Sequence, residues 1–370
     1  MPNEHVQSLF CQALHHTNGG IQPGDPVEPP IVSASVYFLP GEPKAPHQYG
    51  RWTNPTWSAL EQALSVLEDA EAIVFPSGMA AIAALFYTTL KAGDRVLLPS
   101  DGYYTTRSLA EKYLAPMGVS IGTRATADFQ SGSFNGFRLV WIESPSNPGL
   151  DICDIQAVAT EAKKAGALVV ADNTTLTPLG QRPLDLGADV VVSSDTKLVN
   201  GHSDTLSAHI ASRNVEVMSR IRDWRTHAGA IPGPFEAWLV HRGLETLEVR
   251  FERMCDNAEK IAKRLAQHSK VRQVEFPGLF SGRAQEIAAK QMLRFGTMIA
   301  VTFAAKEQAE RFVNECKFIR PTTSFGGVHT SAERRARWGD KVPDGFVRLS
   351  VGCEPAEILW AEMKRVLDAL

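Results

Sequence analysis

Residues 187–204, GADVVVSSDTKLVNGHSD, pass within a few positions from an apolar run to a single lysine among small polar neighbours. The β-branched residues Val190–Val192 lie between Gly187 and the Ser193–Ser194 pair, and so short a run reads as a buried strand. Lys197 stands just past its end. A lysine at such a place is either a solvated loop residue, the usual fate of lysine, or an amine in a partly dry pocket, whose pKa shifts readily and which can condense with a carbonyl. These residues alone leave both readings open.

Comparable runs precede it: AIVFPSG at 72–78, RVLLPS at 95–100, RLVWIE at 138–143 and ALVVADN at 167–173. Between most of them lie helical patterns. Leu60, Ala63, Leu64 and Leu67 recur at helical spacing in 56–70, residues 79–93 read as a helix closed at Gly93, and 154–165 as one stopped by Gly166. Buried strands alternating with helices imply an α/β fold with a mostly parallel sheet covered on both faces. Residues 1–50 are rich in proline and glycine and read as an irregular arm without its own core, packed against something larger such as a second subunit. Residues 51–234 carry the alternating pattern. From 235 it gives way to a long charged helical stretch (235–268, interrupted at Gly243), strand-like GTMIAVTF and GFVRLSVG, and a last helix from about 355, so 235–370 reads as a smaller α/β domain.

The 370 residues, 44% hydrophobic and 21% charged, fit a globular enzyme-sized chain. A net charge of −3 gives no basic footprint for nucleic acid, and no apolar run approaches the length of a membrane span. Five scattered cysteines without a CxxC pair disfavour both a disulfide framework and a zinc site. The N-terminus lacks the basic and apolar regions of a signal peptide, so a cytoplasmic location is expected.

In doubly wound sheets, ligands bind at the carboxyl ends of strands. There the first run ends in Ser77-Gly78-Met79, whose free N–H groups and hydroxyl suit a phosphate or form a plain strand-to-helix turn. The strand 167–173 ends in Asp172, a carboxylate that needs a cationic partner or a metal. Ser194 and Thr196 add hydroxyls, and Tyr103 and Tyr104 follow RVLLPS, where an aromatic ring can stack on a flat ligand. No histidine or cysteine cluster accompanies Asp172 for a metal, and no GxGxxG follows the first strand for a dinucleotide. A phosphate cradle, an aromatic platform, a buried carboxylate and a lysine together answer the needs of pyridoxal 5'-phosphate.

The stretches YGRWTNPT, VFPSGMAAI, ESPSNPGLDICDI, VVADNTTLTPLGQRPLDLGAD, SSDTKLVNGHSD and VRLSVGCE resemble the cystathionine γ-synthase/γ-lyase family of fold-type I pyridoxal-phosphate enzymes over nearly the whole chain. The resemblance implies that Lys197 is the Schiff-base lysine, Asp172 the partner of the pyridine nitrogen and Tyr103 the ring-stacking and proton-donating tyrosine. It implies phosphate contacts from Ser77, Gly78, Met79, Ser194 and Thr196. Tyr49 and Arg51 resemble the pair that reaches the cofactor of a neighbouring subunit, hence a homodimer sharing active sites and assembling into a tetramer. Arg348 resembles the clamp on the substrate α-carboxylate, with Asn147, Ser324 and Tyr49 also on the substrate side. The activity implied is γ-elimination on a γ-substituted L-amino acid in transsulfuration, cystathionine γ-lyase first. Cystathionine γ-synthase, O-acylhomoserine sulfhydrylase, a lyase for another substrate such as canavanine, and a non-catalytic cofactor-binding scaffold are the alternatives. The chain departs from the family's pattern at Tyr104 and Thr105, where two glycines are usual, at Thr323, usually glutamate, and at His329, usually acidic. Methionine γ-lyases carry a cysteine at the Thr105 position. These changes are expected where the distal half of the substrate lies.

Overall fold

The computed structural model describes residues 2–17 and 19–370. Seven strands form one sheet: β1 (Glu71–Phe75), β2 (Arg95–Pro99), β3 (Ser120–Arg124), β4 (Leu139–Glu143), β5 (Leu168–Asp172), β6 (Val190–Ser193) and β7 (Ala208–Ser212), in the order β1-β7-β6-β5-β4-β2-β3. All pairings are parallel except those of β7, which runs antiparallel to both β1 and β6. β1 therefore shares the direction of β5 and β6, and its carboxyl end opens on the same edge of the sheet. The mostly parallel sheet expected from the sequence is present.

Both faces are buried, as parallel strands require. Ile73, Phe75, Val96, Leu98, Trp141 and Val170 pack on one side with Ala81, Leu85 and Phe86 of α3 (Gly78–Thr89) and Met218 and Ile221 of α7 (Val215–Ala228). Their neighbours point the other way. Leu97, Val140, Ile142 and Val169 meet Val158 and Ala162 of α5 (Ile155–Lys164), while Ala72 and Val74 meet Leu60 and Leu64 of α2 (Pro55–Glu68). This alternation is the period-2 geometry of a strand. Two shorter helices on these faces, α4 (Tyr104–Leu109) and α6 (Thr177–Gly180), follow β2 and β5.

The arm is not irregular throughout. α1 (Pro2–Leu14) sets Val6, Phe10 and Ala13 at helical spacing into the core beside α2, and the expectation of a coreless segment holds only for the chain beyond it. α3 ends at Thr89, so Gly93 (φ +89°) sits in the turn beyond rather than at the cap. Gly166 (φ +80°) does follow α5 directly.

The helical stretch after 234 is two helices, α8 (Pro234–Leu244) and α9 (Leu247–Ala266), which break after Gly243. α9 serves two cores. Phe251, Met254 and Cys255 pack with α2 and α8, whereas Ala258, Ile261 and Leu265 pack against the second sheet. That sheet has the order β10-β11-β12-β9-β8, from β8 (Val271–Glu275), β9 (Met298–Phe303), β10 (Arg320–Pro321), β11 (Ser331–Arg334) and β12 (Phe346–Ser350). α10 (Gly282–Gln291) lies between β8 and β9, and α11 (Lys306–Glu315) and α12 (Ala356–Asp368) cover one face. Val347 and Leu349 of β12 face that core, while Phe346 joins Leu150, from the segment after β4, on the opposite side. Arg348 shares the side of Phe346. Among the described residues, no helix is long and apolar enough to cross a membrane.

Gly243 is helical, yet glycine is required there by contact. A Cβ would come within 2.8 Å of the Asn200 Cα. Gly243→Ala is expected to destabilise the protein by about 1–3 kcal/mol through overpacking, measured as a lower midpoint of urea unfolding; an unchanged midpoint would show that the helix yields.

Candidate active site

The carboxyl edge of the large sheet and the inner side of the second sheet enclose a cavity of about 460 Å³. Ser77, Gly78, Met79, Tyr103, Asn147, Asp172, Ser194, Thr196, Lys197, Ser324 and Arg348 all line it, so eleven of the sequence-derived site residues converge from positions 77 to 348. Tyr49 and Arg51 do not. Arg51 donates from Nη1 to the Thr226 carbonyl at 2.6 Å, and its guanidinium lies 5.3 Å from the Tyr49 ring centre, beside the end of α7.

Each wall follows from local structure. Ser77 caps α3, its hydroxyl accepting from the Ala80 N–H at 3.2 Å. The N–H groups of Gly78 and Met79 stay free in the first turn, where the helix dipole favours an anion. A Cβ on Gly78 would stand 3.3 Å from Ser194 Oγ, so the turn and the Ser194 loop are in close contact. The Thr196 hydroxyl donates to the Ser207 carbonyl (3.1 Å) and accepts from the Ser207 N–H (3.0 Å). Its proton already has an acceptor.

Asp172 and Glu143 end adjacent parallel strands, directly paired in register. Asp172 Oδ1 accepts from the Thr174 hydroxyl (2.6 Å) and N–H (3.0 Å), and no described residue donates to Oδ2. Burial pushes its pKa up, opposed by Thr174 and by the charge of Lys197. Glu143 accepts from the backbone N–H groups of Tyr103 and Asn147, both at 2.8 Å. Burial, with Asp172 alongside, still carries it up to about 8. The sequence reasoning missed Glu143 and Thr174, although Glu143 closes an apolar strand just as Asp172 does.

Lys197 follows β6 in a loop held from several sides. Its carbonyl accepts from the Gly201 N–H at 2.8 Å, and buried Arg250 of α9 donates to the carbonyls of Leu198 (2.9 Å) and Val199 (3.0 Å). Two residues before it, buried Asp195 accepts from His209 Nδ1 at 2.8 Å, while His209 Nε2 is 3.1 Å from Glu68 at the end of α2. Among the described residues, Lys197 Nζ has no hydrogen-bond or ion-pair partner, and it lies 5.5 Å from the centre of the Phe325 ring. Burial, followed by the charge of Arg348, lowers its pKa to about 8.

Arg348 is buried and fully oriented. Nη1 donates to Asn147 Oδ1 at 2.7 Å; Nη2 donates to the Ser324 carbonyl at 3.0 Å and to Glu333 Oε1 at 2.6 Å. Glu333 stands opposite it on β11 and also accepts from Arg335, Arg337 and Trp338 Nε1. Arg335 and Trp338 line the cavity too. Ser324 has φ +78°, an unfavourable value for a residue with a side chain. Of the positions that depart from the family's pattern, Tyr104 and Thr323 line the cavity, whereas Thr105 and His329 do not.

A family model described as "Cys/Met metabolism PLP-dependent enzyme" matches residues 12–368. The chain belongs to that family. A Streptomyces coelicolor protein provisionally named cystathionine gamma-lyase is 44% identical over 351 residues, covering 93% of this chain and 89% of its own. The cystathionine gamma-synthase of Mycobacterium bovis is 36% identical over 98% of both chains. The crystal structure of metB from Corynebacterium glutamicum superposes with a TM-score of 0.93 at 36% identity, over 100% of this chain and 99% of that one. The protein is thus a pyridoxal-phosphate-dependent enzyme of cysteine and methionine metabolism, with relatives that are both lyases and synthases. The cavity fits such a cofactor on its own chemistry. It offers an anion site at the start of α3, a carboxylate oxygen without a donor and an amine without a partner.

An ordinary lysine is free base only above about 10.4; with Lys197 near 8 the neutral, nucleophilic form builds up as pH rises through 8. Capture of pyridoxal phosphate by cofactor-free protein, followed by stopped-flow absorbance, is expected to quicken with pH and level off just above 8. A plateau reached only beyond pH 10 would contradict the assigned environment.

Proposed function

We propose that the enzyme catalyses γ-elimination on L-cystathionine, giving cysteine, 2-oxobutanoate and ammonia with uptake of one water. The observation that carries this reading is the convergence of Lys197, Asp172 and Arg348 in one cavity, supported by the likeness to the Streptomyces coelicolor protein. Bound there, pyridoxal phosphate supplies an electron sink that stabilises negative charge at the substrate carbons. Gly78, Met79 and Ser194 would hold its phosphate, Asp172 Oδ2 its ring nitrogen, Tyr103 its ring face and Lys197 its aldehyde carbon.

The remaining work belongs to side chains. Arg348, fixed by Asn147, Ser324 and Glu333, presents its remaining N–H groups to the α-carboxylate. Nε has no acceptor among the described residues, so the substrate meets an arginine already oriented. Lys197 Nζ, with its lowered pKa, takes the proton from Cα and then serves Cβ. The Tyr103 hydroxyl, at the mouth of the cavity, gives a proton to the departing sulfur.

We also propose that two copies share active sites. Phe38 is 91%, Val27 74% and Val36 70% exposed, all within the segment that carries Tyr49 and Arg51. A second copy would cover these side chains and receive Arg51 near its own phosphate site.

The test is a panel of γ- and β-substituted amino acids assayed for keto acid and ammonia, with and without a thiol. Cystathionine is expected to yield 2-oxobutanoate without thiol; release of product only when thiol is present would transfer the assignment to γ-replacement. Asp172→Ala is expected to cost roughly 10²–10³-fold in kcat, and near-wild-type turnover would remove its role. For the shared site, mixing inactive Arg51→Ala and Lys197→Ala chains should restore up to about a quarter of activity, the statistical ceiling for exchanging isologous dimers. No restoration, with exchange confirmed by native mass spectrometry, would place Arg51 outside the partner's site.

A further inference from the structure

Away from the cavity, three side chains meet where the N-terminal segment crosses α8. Glu28 comes from that segment, His241 from the buried side of α8, and Glu245 from the residue just past the helix end. His241 Nδ1 is 4.0 Å from Glu28 Oε2 and 3.8 Å from Glu245 Oε1. One ligand atom from each residue lies within 4.8 Å of the other two.

The imidazole is what sets this cluster apart from a pair of surface acids. His241 is 6% exposed, its Nδ1 is beyond hydrogen-bonding reach of either carboxylate, and its Nε2 is buried without a partner. A second imidazole, His16, packs with its ring centre 5.1 Å away, and its Nε2 is buried and unpartnered too. Nδ1 of His241 is the atom that faces the two carboxylates, and among the described residues it has no hydrogen-bond partner. Among the described residues, the ion-pair contacts of Glu28 and Glu245 run only to His241. Arg242, the next residue along α8, brings positive charge near Glu245, but among the described residues no lysine or arginine pairs with either carboxylate.

We propose that Glu28, His241 and Glu245 bind a divalent first-row transition ion of the zinc class, which ties the N-terminal segment to α8. An imidazole with two carboxylates suits such an ion and selects against magnesium and calcium, which take oxygen ligands. Metal–ligand bonds of about 2.0–2.2 Å require the three atoms to draw together slightly, which an exposed glutamate on an irregular segment permits. His241 and Glu245 are spaced i, i+4 at the end of α8, whereas Glu28 is brought to them only by the fold.

Cofactor-loaded protein, stripped with EDTA, would be titrated with Zn²⁺ by calorimetry and with Co²⁺ by visible spectroscopy. One ion per chain is expected, with cobalt d–d bands, no intense thiolate charge-transfer band, and a melting temperature that rises with free Zn²⁺. Glu28→Gln and His241→Leu should each weaken Zn²⁺ binding about tenfold or more; Glu28 is exposed, so its variant keeps the test decisive if His241→Leu does not fold. The proposal is overturned if the wild type binds no stoichiometric ion, if Glu28→Gln binds as the wild type does, or if the cobalt spectrum shows a thiolate ligand.

Discussion

Two buried charges face the same cavity without a bonded counter-ion: the Oδ2 atom of Asp172 and the Nζ atom of Lys197. Removing such groups from water costs several kcal/mol each, and the protein does not offset this by joining them in an ion pair. The rest of the site is arranged around that cost. Thr174 satisfies one oxygen of Asp172, Glu143 beside it is pushed towards its neutral form, and Arg348 lowers the proton affinity of the lysine. A bound cofactor with a cationic ring nitrogen and an aldehyde would relieve both orphaned atoms at once.

Rigidity is supplied from outside the cavity. Arg250 pins the carbonyls that follow Lys197, and the Glu68–His209–Asp195 chain anchors the residues before it to the end of α2. Glu333 does the same for Arg348, binding four donors through its two oxygens. An arginine held this way loses little freedom when a carboxylate arrives, which is the advantage of preorganisation. The unfavourable backbone of Ser324 is tolerated beside it, consistent with strain being kept at working sites.

While Tyr103, Asn147, Ser324 and Arg348 are assigned through the family resemblance, the parallel sheet is legible in the sequence because short continuous apolar runs ending in polar residues locate buried strands and their carboxyl ends. Asp172, Ser194 and Lys197 are visible this way. β7 was not, since AHIAS contains a histidine and reads as polar, yet His209 is fully buried between two acids. α1 is masked by the proline-rich sequence that follows it, although Val6, Phe10 and Ala13 mark a helical stripe. Glu143 was treated as a strand terminus, and Glu333 lies in a charged run that looks solvated. Both depend on long-range partners that spacing along the chain cannot reveal. Tyr49 and Arg51 were legible as a motif, but within one chain they rest against α7.

The central claim is that Lys197, released by burial from its ordinary basicity, carries the cofactor. Borohydride reduction of the purified holoenzyme followed by peptide mapping tests it most directly. One pyridoxyl group per chain on the peptide containing Lys197 is the result the account requires. A label on any other lysine, or no label on a yellow protein, would contradict it.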